Sequence, residues 1–305
     1  MPTAQNPQIP APEREQPLVS VLVTIYNREK YLRECVESIL ASTWDNFEVV
    51  LVDDRSTDGS LAIAEELAAG DRRIRVARND KNLGDYPNRM RAAELARGRY
   101  LKYVDSDDVI YEHSLRIMAE AMESNRDAAL GLSHTLPEDK CPYPWKLEPE
   151  VSWRKEFLGD GCFGCGPTGA IIDRERFFET GGFRDWGVLS DADQWYRMSA
   201  RWPVLLLPPG LVWWRRHDEQ EFTKESAATV YLERGFQLVV EALSSDECPL
   251  PQVERTAALD RAKQHHARRL ISLAIRRGQP RLALRLMRQS GLAGVELLQG
   301  LASYR

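Results

Sequence analysis

Long apolar runs are missing from this sequence. No stretch approaches the ~20 consecutive apolar residues of a membrane-spanning helix. Excess positive charge is missing too. The 41 Lys and Arg are outweighed by 46 Asp and Glu, for a net charge of −5, which argues against a general nucleic-acid-binding role. No Gly-rich Walker or Rossmann fingerprint occurs, since Gly59 and Gly70 have neither spacing. Cysteine is scarce: Cys35, Cys141, Cys162, Cys165 and Cys248 make an odd, scattered five, which suggests a reducing compartment. Cys162 and Cys165 form a lone CxxC. Zinc needs four ligands, and no second pair or nearby His supplies them, so the pair reads as part of a Gly-rich loop. Met1–Pro17 is rich in Pro, Gln and Glu, lacks the apolar core of a signal peptide, and reads as a disordered leader.

What is present is a soluble α/β pattern. The 305 residues suit one large domain with an appendage. Hydrophobic content of 43% and charged content of 29% are ordinary for a globule. Val19–Ile25 is a continuous β-prone apolar run, as a buried parallel strand requires. Glu29–Leu40 follows with helical spacing of Leu32, Val36, Ile39 and Leu40. Phe47–Val52, Ile74–Ala77 and Tyr100–Val104 read as further strands. Ser60–Ala69, Asn88–Arg97 and Glu112–Glu123 read as helices, with a loop over Asn79–Pro87. This alternation predicts a mostly parallel sheet flanked by helices.

The second half is less regular. Pro137–Pro149 reads as a Pro-rich loop. Gly159–Gly169 holds five glycines, which suggests backbone passing close to a ligand or adopting positive φ. Ala170–Ile172, Val204–Leu207 and Leu211–Trp214 read as strands, and Arg174–Thr180 and Asp191–Arg201 as helices. After about Thr223 the pattern is all helical, over Val230–Leu243, Gln252–Arg277 and Arg281–Leu298. The expected organisation is a leader at 1–17, an α/β domain at 18–222 and a helical region at 223–305. The last helices carry arginines among leucines. That suits an appendage on the main domain or a partner subunit, and also a peripheral contact with an anionic membrane.

The most informative stretch is Asp105-Ser106-Asp107-Asp108, which falls where the strand Tyr100–Val104 ends. Ligands of α/β proteins bind at the carboxyl ends of strands. Clustered carboxylates repel one another and need a counter-ion. Mg2+ or Mn2+ prefers oxygen ligands and shares them with substrate phosphates. A metal–diphosphate site is one reading, and a solvated turn followed by a helix N-cap is the other. Thr24 and Tyr26 end the first strand and Asp53 and Asp54 the second, so all these side chains converge on one sheet edge. Carboxylates for base and ribose, with a metal for the diphosphate, would hold a nucleotide without a Gly-rich loop.

Taken in order, the motifs resemble those of the family 2 glycosyltransferases, which have the GT-A fold. They are Val-Ser-Val-Leu-Val-Thr-Ile-Tyr-Asn at 19–27, Val-Asp-Asp-Arg-Ser-Thr-Asp-Gly-Ser at 52–60 and Asn82-Leu-Gly84. Ala96-Arg-Gly98-Arg-Tyr100, Asp105–Asp108, Gly181-Gly-Phe-Arg184, Ser190–Trp195 and Arg215-Arg-His217 continue the series. The resemblance spans roughly residues 18–222. It implies inverting transfer of one sugar from a nucleotide-diphosphate donor, UDP-sugar favoured, with Mn2+ or Mg2+ as cofactor. Thr24, Tyr26 and Asp54 would surround base and ribose, with Asp53 and Ser106 beside them and Arg89 facing the nucleotide. Asp107 would be the principal metal ligand, with Asp105 acting from the ribose or through water and His217 near the metal or diphosphate. Asp191 occupies the slot of the catalytic base, and Asp193, two residues on, would point elsewhere. Trp186 is a candidate for stacking on a sugar ring. Trp195 reads as core.

Some positions depart from the family pattern. Ser190 replaces the usual acid before the base, Met90 stands where Asn is common, and Asp85-Tyr86-Pro87 replaces a small-residue stretch. The Gln-x-x-Arg-Trp motif and the membrane spans of processive members are absent, which favours addition of a single sugar. The implied acceptor is a hydroxyl-bearing glycan or glycolipid of surface-polysaccharide assembly. The implied location is cytoplasmic, with peripheral membrane contact or a homo-oligomer through the C-terminal helices as further readings. Two competing readings are a catalytically silent nucleotide- or sugar-binding module of the same fold and a nucleotidyltransferase. The latter usually carries a Gly-rich, Lys/Arg-bearing segment where this chain has Tyr-Asn-Arg-Glu-Lys.

Overall fold

The computed structural model describes residues 18–133, 141–217 and 225–292. The expected leader, the start of the 137–149 loop and the end of the last helix lie outside the described residues. The first half alternates strand and helix: β1 (Val19–Ile25), α1 (Leu32–Leu40), β2 (Phe47–Asp53), α2 (Ser60–Gly70), β3 (Ile74–Arg78), α3 (Asp85–Leu95) and β4 (Tyr100–Tyr103). β5 (Val109–Ile110), α4 (Ser114–Ser124), β6 (Leu130–Ser133), β7 (Trp145–Leu147) and α5 (Pro149–Leu158) follow. Then come β8 (Ala170–Asp173), α6 (Arg174–Glu179), α7 (Ser190–Ser199), β9 (Val204–Leu207) and β10 (Val212–Trp213). Three helices close the chain: α8 (Glu225–Ser244), α9 (Gln252–Ile275) and α10 (Pro280–Gln289).

One eight-stranded sheet runs β3-β2-β1-β4-β8-β6-β9-β7. β1 pairs in parallel with β2 and β4, and β2 with β3. β8 is antiparallel to β4 and β6, and β7 is antiparallel to β9. The sheet is therefore mostly parallel, as expected. Its apolar runs are continuous because both faces are covered. Along β1 and β2, Leu22, Val50 and Val52 pack into one core, while Val21, Val23, Val49 and Leu51 pack into the other. Gly98 lets the chain enter β4 against β1, since a Cβ there would stand 2.6 Å from the Ser20 backbone nitrogen.

The structure corrects several element boundaries. α3 begins at Asp85 rather than Asn88, because Gly84 turns the chain at φ +88° and Pro87 falls in the first helical turn, where its missing N–H costs nothing. α1 begins at Leu32, three residues later than the spacing suggested. The Pro-rich stretch is not all loop: β7 lies within it, and Pro149 starts α5. β5 and β6 are also additions. The C-terminal helices pack on the α/β core. Leu238, Leu243, Leu250 and Ala258 join the same core as Leu22 and Val50. Arg154 of α5 forms a bidentate pair with Glu254 of α9 at 2.9 Å.

Candidate active site

The carboxyl ends of β1, β2 and β4 open onto one cavity of about 590 Å³. The loops that line it are pinned to each other. Asn27 and Arg55 both sit in the left-handed region, at φ 53° and 67°, which non-glycine residues rarely adopt without compensation. The compensation is visible: Asn27 N–H donates to Ser56 Oγ at 3.0 Å, and Thr57 N–H donates to Asn27 Oδ1 at 2.8 Å.

Asp53 and Asp54 go opposite ways. Asp54 lines the cavity and ties three elements together. Its Oδ1 accepts from Asn79 Nδ2 at 2.7 Å and Leu83 N–H at 2.8 Å, and its Oδ2 accepts from Gly84 N–H at 2.9 Å. Asp53 is fully buried and does not line the cavity. Its carboxylate accepts from Ser56 N–H at 3.2 Å and meets Arg78 at 3.2 Å, so it holds the turn after β2.

The acidic turn after β4 meets cations on every side. Arg89 Nη2 lies 2.8 Å from Asp105 Oδ1 as an ion pair out of hydrogen-bond alignment. Arg28 Nε lies 3.3 Å from Asp107 Oδ2, and His217 Nε2 lies 2.9 Å from the same oxygen. Asp108 Oδ1 accepts from Arg215 N–H at 3.1 Å. Burial, reinforced by Asp105, pushes the Asp108 carboxyl up to about 7. The turn itself is held from β8's side, where Asp105 N–H donates to Thr168 Oγ1 at 3.1 Å. Arg89 Nη1 is buried in the cavity wall with no hydrogen-bond partner among the described residues. A buried guanidinium N–H left unpaired is costly, so it suits a ligand oxygen.

Asp191 lines the same cavity from the first turn of α7. Its Oδ1 accepts from Ala192 N–H at 2.7 Å, and burial pushes its carboxyl up to about 6. Gly166 runs past it; a Cβ there would lie 3.8 Å from Asp191 Oδ2. Asp193 points away and is buried against Arg184 and Arg197, whose Nε atoms both lie 3.0 Å from its Oδ2. Trp195 is fully buried and donates from Nε1 to Cys165 O at 2.8 Å.

Of the residues expected at a site, Thr24, Tyr26, Asp54, Arg89, Asp105, Ser106, Asp107 and Asp191 line this cavity. His217 lines a second, adjoining cavity together with Asp105, Asp107 and Asp191. Trp186 lines neither, and the Arg234 guanidinium covers its ring at 5.0 Å. Arg28 and Tyr231 are cavity residues that the sequence did not single out. Arg28 lies three residues beyond the end of β1 and was legible there as a cation near a strand end. Tyr231 arrives from α8, and no local pattern announces it.

The family described as "Glycosyl transferase family 2" matches residues 20–178. The chain belongs to this family. Among curated relatives, the glycosyltransferase GlyG of Streptococcus pneumoniae is 39% identical over 115 residues, covering 37% of this chain and 38% of GlyG. The Escherichia coli protein YibD, described as an uncharacterized glycosyltransferase, is 34% identical over 189 residues, covering 60% of this chain and 45% of YibD. The matched stretch therefore spans less than half the length of either relative. Among solved structures, S. aureus TarS in complex with UDP superposes with a TM-score of 0.66 at 20% identity, covering 94% of this chain and 88% of that one. The mannosyltransferase PcManGT from Pyrobaculum calidifontis, in complex with GDP-Man and Mn2+, gives 0.61 at 17% identity, covering 95% and 87%. These likenesses establish the GT-A fold, with its helical appendage, for this family 2 member.

Proposed function

We propose that this chain is an inverting, divalent-metal-dependent glycosyltransferase. It moves one sugar from a nucleotide-diphosphate donor, UDP-sugar favoured, to an acceptor hydroxyl of a surface polysaccharide or glycolipid, on the cytoplasmic side. The observation that carries this reading is that Asp191 lines one cavity together with Asp105 and Asp107. Thr24, Tyr26, Asp54 and Ser106 hold the nucleoside, with Asp53 supporting them as the buried clamp of the turn behind. Arg89 and Arg28 bring donors to the oxygens of the donor's phosphates.

No three His, Cys, Asp or Glu side chains form a ready-made metal cage among the described residues. Asp107 and His217, with Asp105 beside them, still suit a hard cation that takes its remaining ligands from diphosphate oxygens and water. That cation would neutralise charge on the leaving diphosphate. Asp191 accepts the proton of the acceptor hydroxyl as its oxygen attacks the anomeric carbon from the face opposite the diphosphate. One base and one in-line displacement give inversion. A base held near pH 6 by burial is matched to work at neutral pH. The absence of any helix long and apolar enough to cross a membrane among the described residues suits transfer of a single sugar rather than polymer extrusion.

A thermal-shift screen of UDP, GDP, dTDP and CDP, each with and without Mn2+, tests the reading. One nucleotide should raise the melting temperature only with metal. No shift with any of the four would count against a nucleotide-sugar transferase.

A further inference from the structure

The second cavity, of about 1270 Å³, continues from the first past Asp105, Asp107 and Asp191 and ends against α9. Its walls change character along the way. Next to Asp191 they are apolar, built from Phe163, Leu189 and Trp214. Arg269 of α9 and Arg277 just after it also line the cavity, as does Arg216, the neighbour of His217. None of these three guanidinium groups pairs with an acid among the described residues. All three are exposed to the cavity's solvent, so their charges are open to a ligand. Other arginines of the appendage are engaged: Arg261 donates to Gly159 O at 2.9 Å, and Arg285 pairs with Glu233 at 3.0 Å. Arg269 lies close enough to Arg277 for the two like charges to oppose each other. An anion between the two would relieve both.

We propose that the acceptor carries a phosphoryl group, held by Arg269 and Arg277 with Arg216 lining the same cavity, while its hydroxyl reaches Asp191 along the apolar wall. The proposal rests on the transferase reading and names its acceptor class. Guanidinium forks match phosphate oxygens, and a phosphomonoester near −2 balances two or three such charges better than one carboxylate does. The chemistry is unchanged by the anchor. The acceptor O–H gives its proton to Asp191, the new C–O bond forms at the anomeric carbon, and the nucleoside diphosphate leaves with the electrons of the broken C–O bond. The phosphoryl group takes no part in bond making. It fixes which hydroxyl lies in line. It can belong to a soluble or polymer-borne phosphate, or to a lipid headgroup.

The test uses the full chain with UDP and Mn2+ at saturation, so that the donor half is filled. Glycerol 3-phosphate, glycerate and glycerol are titrated calorimetrically into the parent and into the double variant Arg269→Ala/Arg277→Ala. In parallel, flotation is measured with phosphatidic acid vesicles and with neutral phosphatidylcholine vesicles. Glycerol 3-phosphate should bind at least tenfold tighter than glycerol or glycerate, or the phosphatidic acid vesicles should carry the protein while neutral ones do not. The double variant should lose that preference while binding UDP as the parent does. Preference in the first arm assigns a soluble or polymer-borne phosphate, and in the second a headgroup. No arginine-dependent preference in either arm, with UDP bound, overturns the acceptor proposal and leaves the transferase reading standing. Failure of UDP itself to bind would instead strike the transferase reading.

Discussion

His217 Nε2 stands 2.9 Å from Asp107 Oδ2, although 110 positions separate the two residues. The contact closes the acidic turn after β4 with a segment that follows the last sheet strand. If the pair binds metal, the two substitutions differ in degree. Asp107→Ala should abolish Mn2+-dependent stabilisation by UDP, and His217→Ala should weaken it by about tenfold, the scale of a lost or misoriented ligand. Calorimetry with UDP and Mn2+ decides; unchanged metal dependence in Asp107→Ala would move the metal elsewhere.

Asp191→Asn should preserve donor binding and lower turnover by ~10²–10⁴, the usual worth of a general base. Single-turnover rates with a radiolabelled donor check this. Parent-like turnover would make Asp191 a bystander.

The pH dependence follows from the same residue. Its carboxyl is raised by burial to about 6, and a base works only when deprotonated. The rate should therefore fall as pH drops through about 6, rather than near 4 as for an ordinary carboxylate. Stability runs the other way. Between pH 4 and 6 the folded state holds a proton that the unfolded chain has released, so this group's contribution to stability declines as pH rises through that window. Above pH 6, Asp191→Asn should melt higher than the parent. A lower melting temperature at pH 7.5 would contradict the buried-carboxylate account.

The paired carboxylates after β2 should separate by phenotype. Asp53→Ala leaves a buried N–H of Ser56 without its acceptor and should cost about 1–3 kcal/mol in chemical denaturation. Its effect on turnover should track the fraction folded. Asp54→Ala should release the Leu83–Gly84 turn and weaken UDP binding as well. Equal nucleotide affinities in the two folded variants would undo the distinction.

Asp193 offers a control for its neighbour. It is 1% exposed and balances Arg184 and Arg197. Asp193→Ala strands the Arg197 charge and should destabilise by about 3–5 kcal/mol, with a loss of melting temperature that Asp191→Asn does not show. A neutral melting temperature would mean that solvent reaches Arg197.

The site was legible wherever a local rule reaches it. Apolar runs flanked by helical spacing located β1, β2 and β4, and their ends carry Thr24, Asp54 and Asp105. Asp53 and Asp54 were both expected near the nucleotide, but Asp53 is the buried last residue of β2, and only Asp54, just beyond it, lines the cavity. What escaped depends on chain closure over long distances. Pro149 reads as loop punctuation until it is seen to start a helix, and Trp186 looks free until Arg234 from α8 covers it. Tyr231 enters the cavity only because α8 packs beside α7, a matter of tertiary fit that no window of residues encodes.

The sharing of one core by the sheet and the C-terminal helices limits how such a protein diversifies. Leu238, Leu243, Leu250 and Ala258 lie in the same core as β1 and β2, while Arg269 on α9 faces the second cavity. The tail is therefore not a cassette that can be swapped between relatives to reprogram what is glycosylated. A graft near residue 222 would replace part of the foundation along with the wall of the cavity. Changes of preference are open mainly to substitutions on the exposed face of α9, where a side chain can be altered without disturbing what lies beneath.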